Sequence, residues 1–393
     1  MKRTGILLCA ALALADSAPA APYSVFYRLA GQTNSEIVGF SRQGQLTLTN
    51  AQPSGNFSIE WAFDLAHFAT GLHEVVAYGP ITGAEMTVEA PLATTARPAW
   101  TNAGLVPGGV FVMGNHYTNI SIANPVHDVR TRAFYADQRE VTWALWSNVR
   151  SWALTNGYAD LNTGSAVAAA HPVQNVTWYD CAKWCNARSE KEGLVPAYCS
   201  NGAFAGVYRT GTPDLSNECV RWGANGYRLP TEAEWEKAAR GGLVGHWYPW
   251  PSLGGNWSDH IGATSANYRA SGDPFDTPGD SFDVDTTPAG YYNGSQMISN
   301  VVGGSDMANG YGLYDTAGNV QEWCWDWYDG GYYSTYASNA WPDDVTGPPT
   351  GSTRVIRGGP WSTQAQGLQT SRRLNDHPSN SATYTGFRCV RGL

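Results

Sequence analysis

An alternation of period two runs through the first part of the chain. Leu46 and Leu48 alternate with Thr47 and Thr49, and Phe57, Ile59, Trp61 and Phe63 alternate with Ser58, Glu60 and Ala62. Each run has one apolar and one wet face, which predicts strands between residues 24 and 90. Asn50 to Asn56, with Pro53 and Gly55, reads as the turn between the two runs. A small β-rich module over residues 21–90 follows, a spacer or docking element. Residues 91–104 are rich in Ala, Thr and Pro without an apolar period and read as a linker. From residue 105 the period changes. Val141, Leu145, Val149 and Trp152 fall on one face of a helix ending near Gly157. Trp178, Cys181, Ala182 and Cys185 share a second helical face, with Thr177 as N-cap and Gly193 beyond the end. Thr231 and Glu234 form a capping box that opens a third helix, with Trp235, Ala238 and Ala239 on its packed face and Gly241-Gly242 stopping it. Residues 242–318 show little period and are dense in Gly, Asp, Asn, Ser and Pro. So long a loop needs something besides secondary structure to hold it, and bound metal is one candidate.

The chain has 393 residues, 42% hydrophobic and 15% charged, which suits a large folded domain with a smaller one and excludes a disordered chain. Trp 17, Tyr 21 and Gly 44 point to loop-rich packing around large rings, with sugar stacking as the alternative. The formal charge is −9, and no basic block or basic helix face occurs. Nucleic acid and anionic lipid are poor partners for such a chain. Residues 1–20 read as a signal peptide: Lys2 and Arg3, an apolar run from Ile6 to Ala15 too short to span a bilayer, and Ala18-Pro19-Ala20 before the cut. The expected location is periplasmic or extracellular, with no integral membrane segment. Cys9 falls in the leader. The six that remain, Cys181, Cys185, Cys199, Cys219, Cys324 and Cys389, favour disulfides in an exported chain. Cys199 and Cys219 flank a glycine-bearing insertion and are expected to staple it. Cys181 and Cys324 either pair or stay as buried thiols.

The ordered motifs resemble the formylglycine-generating enzyme, or sulfatase-modifying factor, family. They are Val106-Pro107-Gly108-Gly109 through Gly114; Glu140-Val141-Thr142; His171-Pro172-Val173 with Val176-Thr177-Trp178; Tyr227-Arg228-Leu229-Pro230-Thr231-Glu232-Ala233-Glu234-Trp235-Glu236; Tyr311 to Asp315 with Gly318-Asn319-Val320 and Glu322-Trp323; and Arg357-Gly358-Gly359 with Gly386-Phe387-Arg388-Cys389. They run in order over residues 105–393. The resemblance implies an α+β, C-type-lectin-like fold with much irregular structure, often held by calcium. It implies one calcium site from Asp315, Gly318, Val320 and Glu322, and a second from Asn267, Tyr268 and Asp283. The alternative for the first is that Asp315 caps a turn and Glu322 pairs with an arginine. The resemblance also implies a disulfide between Cys185 and Cys389.

The oxidases of this family use two cysteines of the C-terminal loop to hold copper(I), a soft ion suited to thiolates. Here the loop from Gly359 to Gly386 has no cysteine, and Pro360 stands where the family's serine is expected. Both departures argue against copper and against the oxidase reaction. The loop offers Trp361, Gln364, Gln366, Gln369, Arg372, Arg373 and Asp376 instead, side chains suited to stacking and hydrogen bonding a protein, peptide or carbohydrate ligand. Trp323 to Tyr328 could stack on a sugar, but a buried strand beside the calcium turn is the preferred reading. No serine-hydrolase elbow, phosphate loop or His-Glu-x-x-His motif is present. The expected function is a ligand-binding or accessory protein, with no catalytic residue assigned. A divergent oxidase acting on a sulfatase cysteine and a variable binding protein diversified by a retroelement are the alternatives.

Overall fold

The computed structural model describes residues 102–114, 125–204, 206–250, 261–262, 264–269, 271, 286–298, 301–302, 304–336 and 344–392, together with seven earlier strands. Asp283 lies outside the described residues. The chain divides into two compact units, one of residues 1–101 with 107–111 and 130–133, the other of the remainder.

The first unit contains β1 (Leu7–Ala10), β2 (Val25–Ala30), β3 (Glu36–Phe40), β4 (Gln45–Thr49), β5 (Asn56–Ala62), β6 (Glu74–Pro80) and β7 (Glu85–Glu89). The two alternating runs are β4 and β5, but they are not a hairpin. β4 pairs with β3 and β7, whereas β5 pairs with β2 and β6, so they belong to separate antiparallel sheets. Within the expected leader, Leu7–Ala10 pairs with Val25–Ala30.

The larger unit is α+β. β8 (Ala103–Val106), β9 (Gly109–Met113), β10 (His127–Thr131) and β11 (Phe134–Asp137) come first, with Gly109–Phe111 and Arg130–Thr131 counted in the first unit, so the last residues of the expected linker already belong to a strand. α1 (Trp143–Leu154), α2 (Trp178–Lys191), β12 (Tyr227–Arg228) and α3 (Glu232–Arg240) follow. Next come the short hairpin β13 (Met297–Ile298) and β14 (Val301–Val302), then β15 (Gln321–Trp327), β16 (Arg354–Arg357), β17 (Leu374–Asp376), β18 (Thr385–Gly386) and β19 (Val390–Gly392). One four-stranded sheet has the order β12-β19-β11-β8; another has the order β17-β16-β15-β18, in which β15 and β18 run parallel. The chain end is thereby stitched into both sheets.

The caps fall where the sequence puts them. Thr142, Thr177 and Thr231 each accept a backbone N–H, and the last two form reciprocal capping boxes with Asp180 and Glu234. The packed face of α1 is Trp146, Val149 and Ala153; Leu145 and Trp152 are only half-buried. The stripe is rotated by about one residue from the expected one because Trp146 stacks on Trp184 of α2, ring centroids 5.7 Å apart. α2 is buried on every side from Trp178 to Ser189, as a helix enclosed by protein must be. Its charges are matched: Lys183 with Asp160 at 3.0 Å, and Arg188 with Asp137 at 2.9 Å.

The rings named by the sequence are core. All of β15 is buried, including the Trp323–Trp327 stretch that offered a sugar-stacking surface. Arg354 is enclosed by Trp327, Trp178 and Trp325, its guanidinium 3.5, 3.9 and 5.0 Å from the ring centroids. Burial pushes its pKa down to about 9, and the aromatic faces supply attraction where no carboxylate touches it. Asn309 holds the irregular segment to α3: its amide N–H groups donate to the carbonyls of Ala238 and Ala239 at 2.7 and 3.1 Å, and its oxygen accepts from Tyr311 and Leu313.

Candidate functional site

The site elements converge on α3, β15 and the segment after β16. α3 presents three acids, and each meets an arginine. Glu232 accepts from Arg373 at 2.6 and 2.8 Å and from Arg357 at 3.4 Å. Glu234 accepts two bonds of 2.6 Å from Arg228. Glu236 accepts from Arg240 at 2.9 and 2.7 Å, from Arg357 and from the Gly114 N–H at 2.8 Å. Such forked, buried pairs fix geometry, and removing one partner strands the other. Arg357 also donates to the carbonyls of Thr370, Ser371 and Arg372. The helix signature, the Arg-Gly-Gly motif and the inner half of the C-terminal loop are thus one network.

The seven expected binding residues separate accordingly. Arg373 is buried on Glu232 and under the rings of Tyr328 and Tyr333; it is a strut of the network and is withdrawn as a ligand contact. Gln369 is buried too. Gln364 and Gln366 are exposed, and Trp361, Arg372 and Asp376 half-buried. The Trp361 N–H donates to the Asn319 carbonyl at 2.8 Å, and its ring nitrogen reaches the Thr383 carbonyl at 3.4 Å. Asp376 accepts from the His377 N–H and from the Asn380 amide, so it shapes its own turn. Tyr248 donates to the Ala365 carbonyl at 2.9 Å, and the Thr370 N–H to that of Trp247. The loop therefore sits on the cluster of Tyr248, Trp250, Tyr292, Met307 and Leu368.

Among the described residues of the expected calcium sites, Asn267 lies against Gly318 and Asn319. The Asn319 N–H donates to the Asn267 carbonyl at 2.9 Å. Gly318, at φ +95, passes so near that a Cβ would stand 2.3 Å from the same oxygen, so no other residue fits there. Glu322 differs from the expectation. Its carboxylate receives a fork from Arg388 (2.6, 2.8 and 3.0 Å) and the indole N–H of Trp235 at 2.7 Å. The arginine alternative holds for Glu322. Asp315 sits at φ +54 and accepts from the Gly290 N–H. Beside it lies a residue that sequence reasoning treated only as part of a helix-start motif. Glu140 is 2% exposed, and neither of its oxygens has a hydrogen-bond partner among the described residues. Burial, then the Asp315 charge, push the Glu140 carboxyl well above the ordinary range. Burial likewise raises Asp315. The signal available in the sequence was an acid two residues before the Thr142 cap, with no basic residue among Trp143, Ala144, Leu145 and Trp146.

Cys185 and Cys389 are buried thiols with sulfurs 3.6 Å apart. Cys199 and Cys219 are buried thiols on paired backbone, the Cys199 N–H donating to the Cys219 carbonyl at 2.8 Å. Burial pushes the thiols of Cys181, Cys324 and Cys389 well up, which disfavours the thiolate a soft metal needs. Among the described residues, no three His, Cys, Asp or Glu side chains form a metal-holding group, and no helix is long and apolar enough to cross a membrane.

A fold of this kind, with a signature helix locked to a closing arginine, defines a family. Residues 90–393 match the sulfatase-modifying factor enzyme 1-like domain. The chain belongs to this FGE-sulfatase family. It is 32% identical over 319 residues to the formylglycine-generating enzyme of Streptomyces coelicolor, covering 75% of this chain and 91% of that one. It is 31% identical over 290 residues to the chaperone protein LppX of Paenibacillus barcinonensis, covering 72% and 88%. Among solved structures it is similar to Treponema denticola variable protein 1, with TM-score 0.52 and 28% identity over 74% of this chain and 94% of that one.

Proposed function

We propose that this family member is an exported ligand-binding or accessory protein that does not oxidise cysteine. The observation that carries the reading is the loop itself. From Gly359 to Gly386 it contains no sulfur, and every described cysteine is a buried thiol. Its outward side chains, Trp361, Gln364, Gln366 and Arg372, suit stacking and hydrogen bonding of a protein, peptide or carbohydrate, while the side facing α3 is fixed. Likeness to a chaperone protein and to a protein named as variable supports the same direction. A retroelement-diversified binding protein is the special case in which the codons for residues 355–393 have a near-copy beside a reverse transcriptase gene. Export would permit two disulfides, Cys185–Cys389 and Cys199–Cys219, and would leave residues 21–90 as a docking element or spacer.

The enzyme reading has its own support in the 32% identity to a formylglycine-generating enzyme. One experiment separates the two. The purified chain is incubated with copper(I), oxygen and a peptide containing Cys-x-Pro-x-Arg, and the peptide mass is followed. No aldehyde is expected; conversion of the cysteine to formylglycine overturns the proposal.

A further inference from the structure

We infer that Gln369 and Arg372 anchor one acidic residue of a peptide, the Arg372 guanidinium taking its carboxylate and the Gln369 side-chain oxygen a neighbouring N–H. This rests on the reading of the C-terminal loop as a ligand-binding surface. The other arginines around the loop are already committed. Arg357 serves Glu236 and the carbonyls of Thr370, Ser371 and Arg372, Arg373 serves Glu232, and Arg388 serves Glu322. Arg354 is closed in by the rings of Trp327 and Trp178. Arg372 differs. It is half-buried, its guanidinium has no acid, carbonyl or ring partner among the described residues, and its Nε is enclosed without an acceptor. Gln369 is 3% exposed, and its side-chain oxygen has no donor. The enclosed hydroxyl of Thr370 between them has no partner either. Enclosing unmet polar groups costs free energy, and a ligand that meets them returns it.

The backbone brings these groups together and holds them still. The Arg372 N–H donates to the Gln369 carbonyl at 2.9 Å, a turn that keeps the two Cα atoms within about 7 Å. The Thr370 N–H is fixed on the Trp247 carbonyl at 2.7 Å, and Arg357 holds the carbonyls of the turn from inside. Arg373 reaches Glu232 on α3. Neighbouring side chains of an extended segment point to opposite faces, so Arg372 is turned away from α3. A free guanidinium on a fixed backbone suits a planar carboxylate, which takes two parallel N–H bonds from it. An unmet oxygen at the other end of the turn asks for a donor close to that carboxylate. An Asp or Glu within a peptide supplies both, since its main-chain N–H lies near its own side chain. A polyanionic glycan would need several free cations. The chain has 24 basic residues against 33 acidic ones, and the arginines flanking Arg372 are taken.

The test pans short random peptides, displayed on phage, against the full chain; the recovered peptides are synthesised and titrated by fluorescence anisotropy. They should share an Asp or Glu at one position. Changing that residue to Asn or Gln should weaken binding roughly tenfold or more, as loss of a charge-assisted fork does. R372Q should cause the same loss, and the two changes together little more than either alone, the sign of a pair in direct contact. R372K keeps the charge without the fork and should restore only part of the affinity. Q369L should weaken binding by roughly three- to tenfold, the worth of one hydrogen bond, without lowering the melting temperature, because the acceptor it deletes serves nothing inside the protein. A purely structural Gln369 would give the opposite pattern. Recovered peptides with no shared acid, or R372Q binding them as tightly as wild type, overturn the anchor. W361A then separates the two levels: peptides that ignore Arg372 but weaken in W361A keep the loop as the binding surface, and peptides indifferent to both remove it. A chain that captures no peptide overturns the anchor, and a glycan array read with W361A decides the loop by itself.

Discussion

Two groups of enclosed carboxylates lie in the larger unit, and the protein treats them in opposite ways. On α3, Glu232, Glu234 and Glu236 are each gripped by an arginine. At the corner of Glu140 and Asp315, two acids meet each other, and the nearby arginine is committed to Glu322. The first group is complete as protein alone and works as a frame. The second has no arginine fork of its own. The difference teaches that burying an acid does not by itself make it part of a frame; a matching arginine does.

The largest way to break the frame is Arg373→Ala. It leaves Glu232 buried beside the unpartnered Asp326 oxygen, and a loss of about 3–5 kcal/mol in denaturant unfolding is expected. Metal removal tests the expected structural calcium: bound at about a hundred times its dissociation constant, it should make chelation lower stability by roughly 2.7 kcal/mol in wild type and Arg373→Ala alike, and an unchanged melting curve would refute it. Thr231→Ala removes one half of a capping box and should cost about 1 kcal/mol. Trp361→Ala, on the half-buried outer part of the loop, should lower stability by less than either group's variants. It should weaken capture of whichever peptide or glycan an array finds to bind the wild-type chain.

Asp326 sharpens the comparison through pH. It borders the frame, accepts the Glu232 N–H at 2.7 Å, and has one oxygen without a donor. Burial, then the Glu232 charge, push its carboxyl well above the ordinary range. A raised acid contributes stability that is fully present below its unfolded pKa, about 3.9, and lost as pH rises through the folded pKa. Asp326→Asn keeps the acceptor and removes the titration. Its stability relative to wild type should therefore grow as pH increases from about 4 toward neutrality, measured by urea unfolding at several pH values; a difference independent of pH would refute the raised carboxyl.

Much of the frame was legible in the sequence because its signals are local. Thr177 and Thr231 announce their caps, and Gly241 at φ +57 ends α3 as expected. The face of α1 was misplaced by about one residue because Trp146 and Trp152 look alike in sequence, and only the stack on Trp184 separates them. The strand runs at β4 and β5 were visible, but their pairing was not, since alternation records a buried face and says nothing about the neighbour. Gln364 and Gln366, expected as ligand contacts, are exposed. Arg373 is buried, and an arginine written in a loop carries no mark of the glutamate, far earlier in the chain, that buries it. Glu140 went unread for a like reason: its lack of a hydrogen-bond donor is set by residues far along the chain, and the local signal before the Thr142 cap is weak.

The pairing of β16 with β17 has a consequence for how this protein can change. Ile356 faces Leu374, and Arg354 faces Asp376, so the chain leaves and rejoins the sheet at adjoining positions. Everything from Gly359 to Thr370 is an excursion whose two ends are clamped before its content is read. Closing such a loop costs only slowly more as it lengthens, and its interior sets no strand register. Residues can be exchanged, inserted or deleted at the tip while Arg357, Arg373 and the chain end stay where they are. The clamps at Arg357 and Arg373 therefore hold without help from the exposed Gln364 and Gln366 between them.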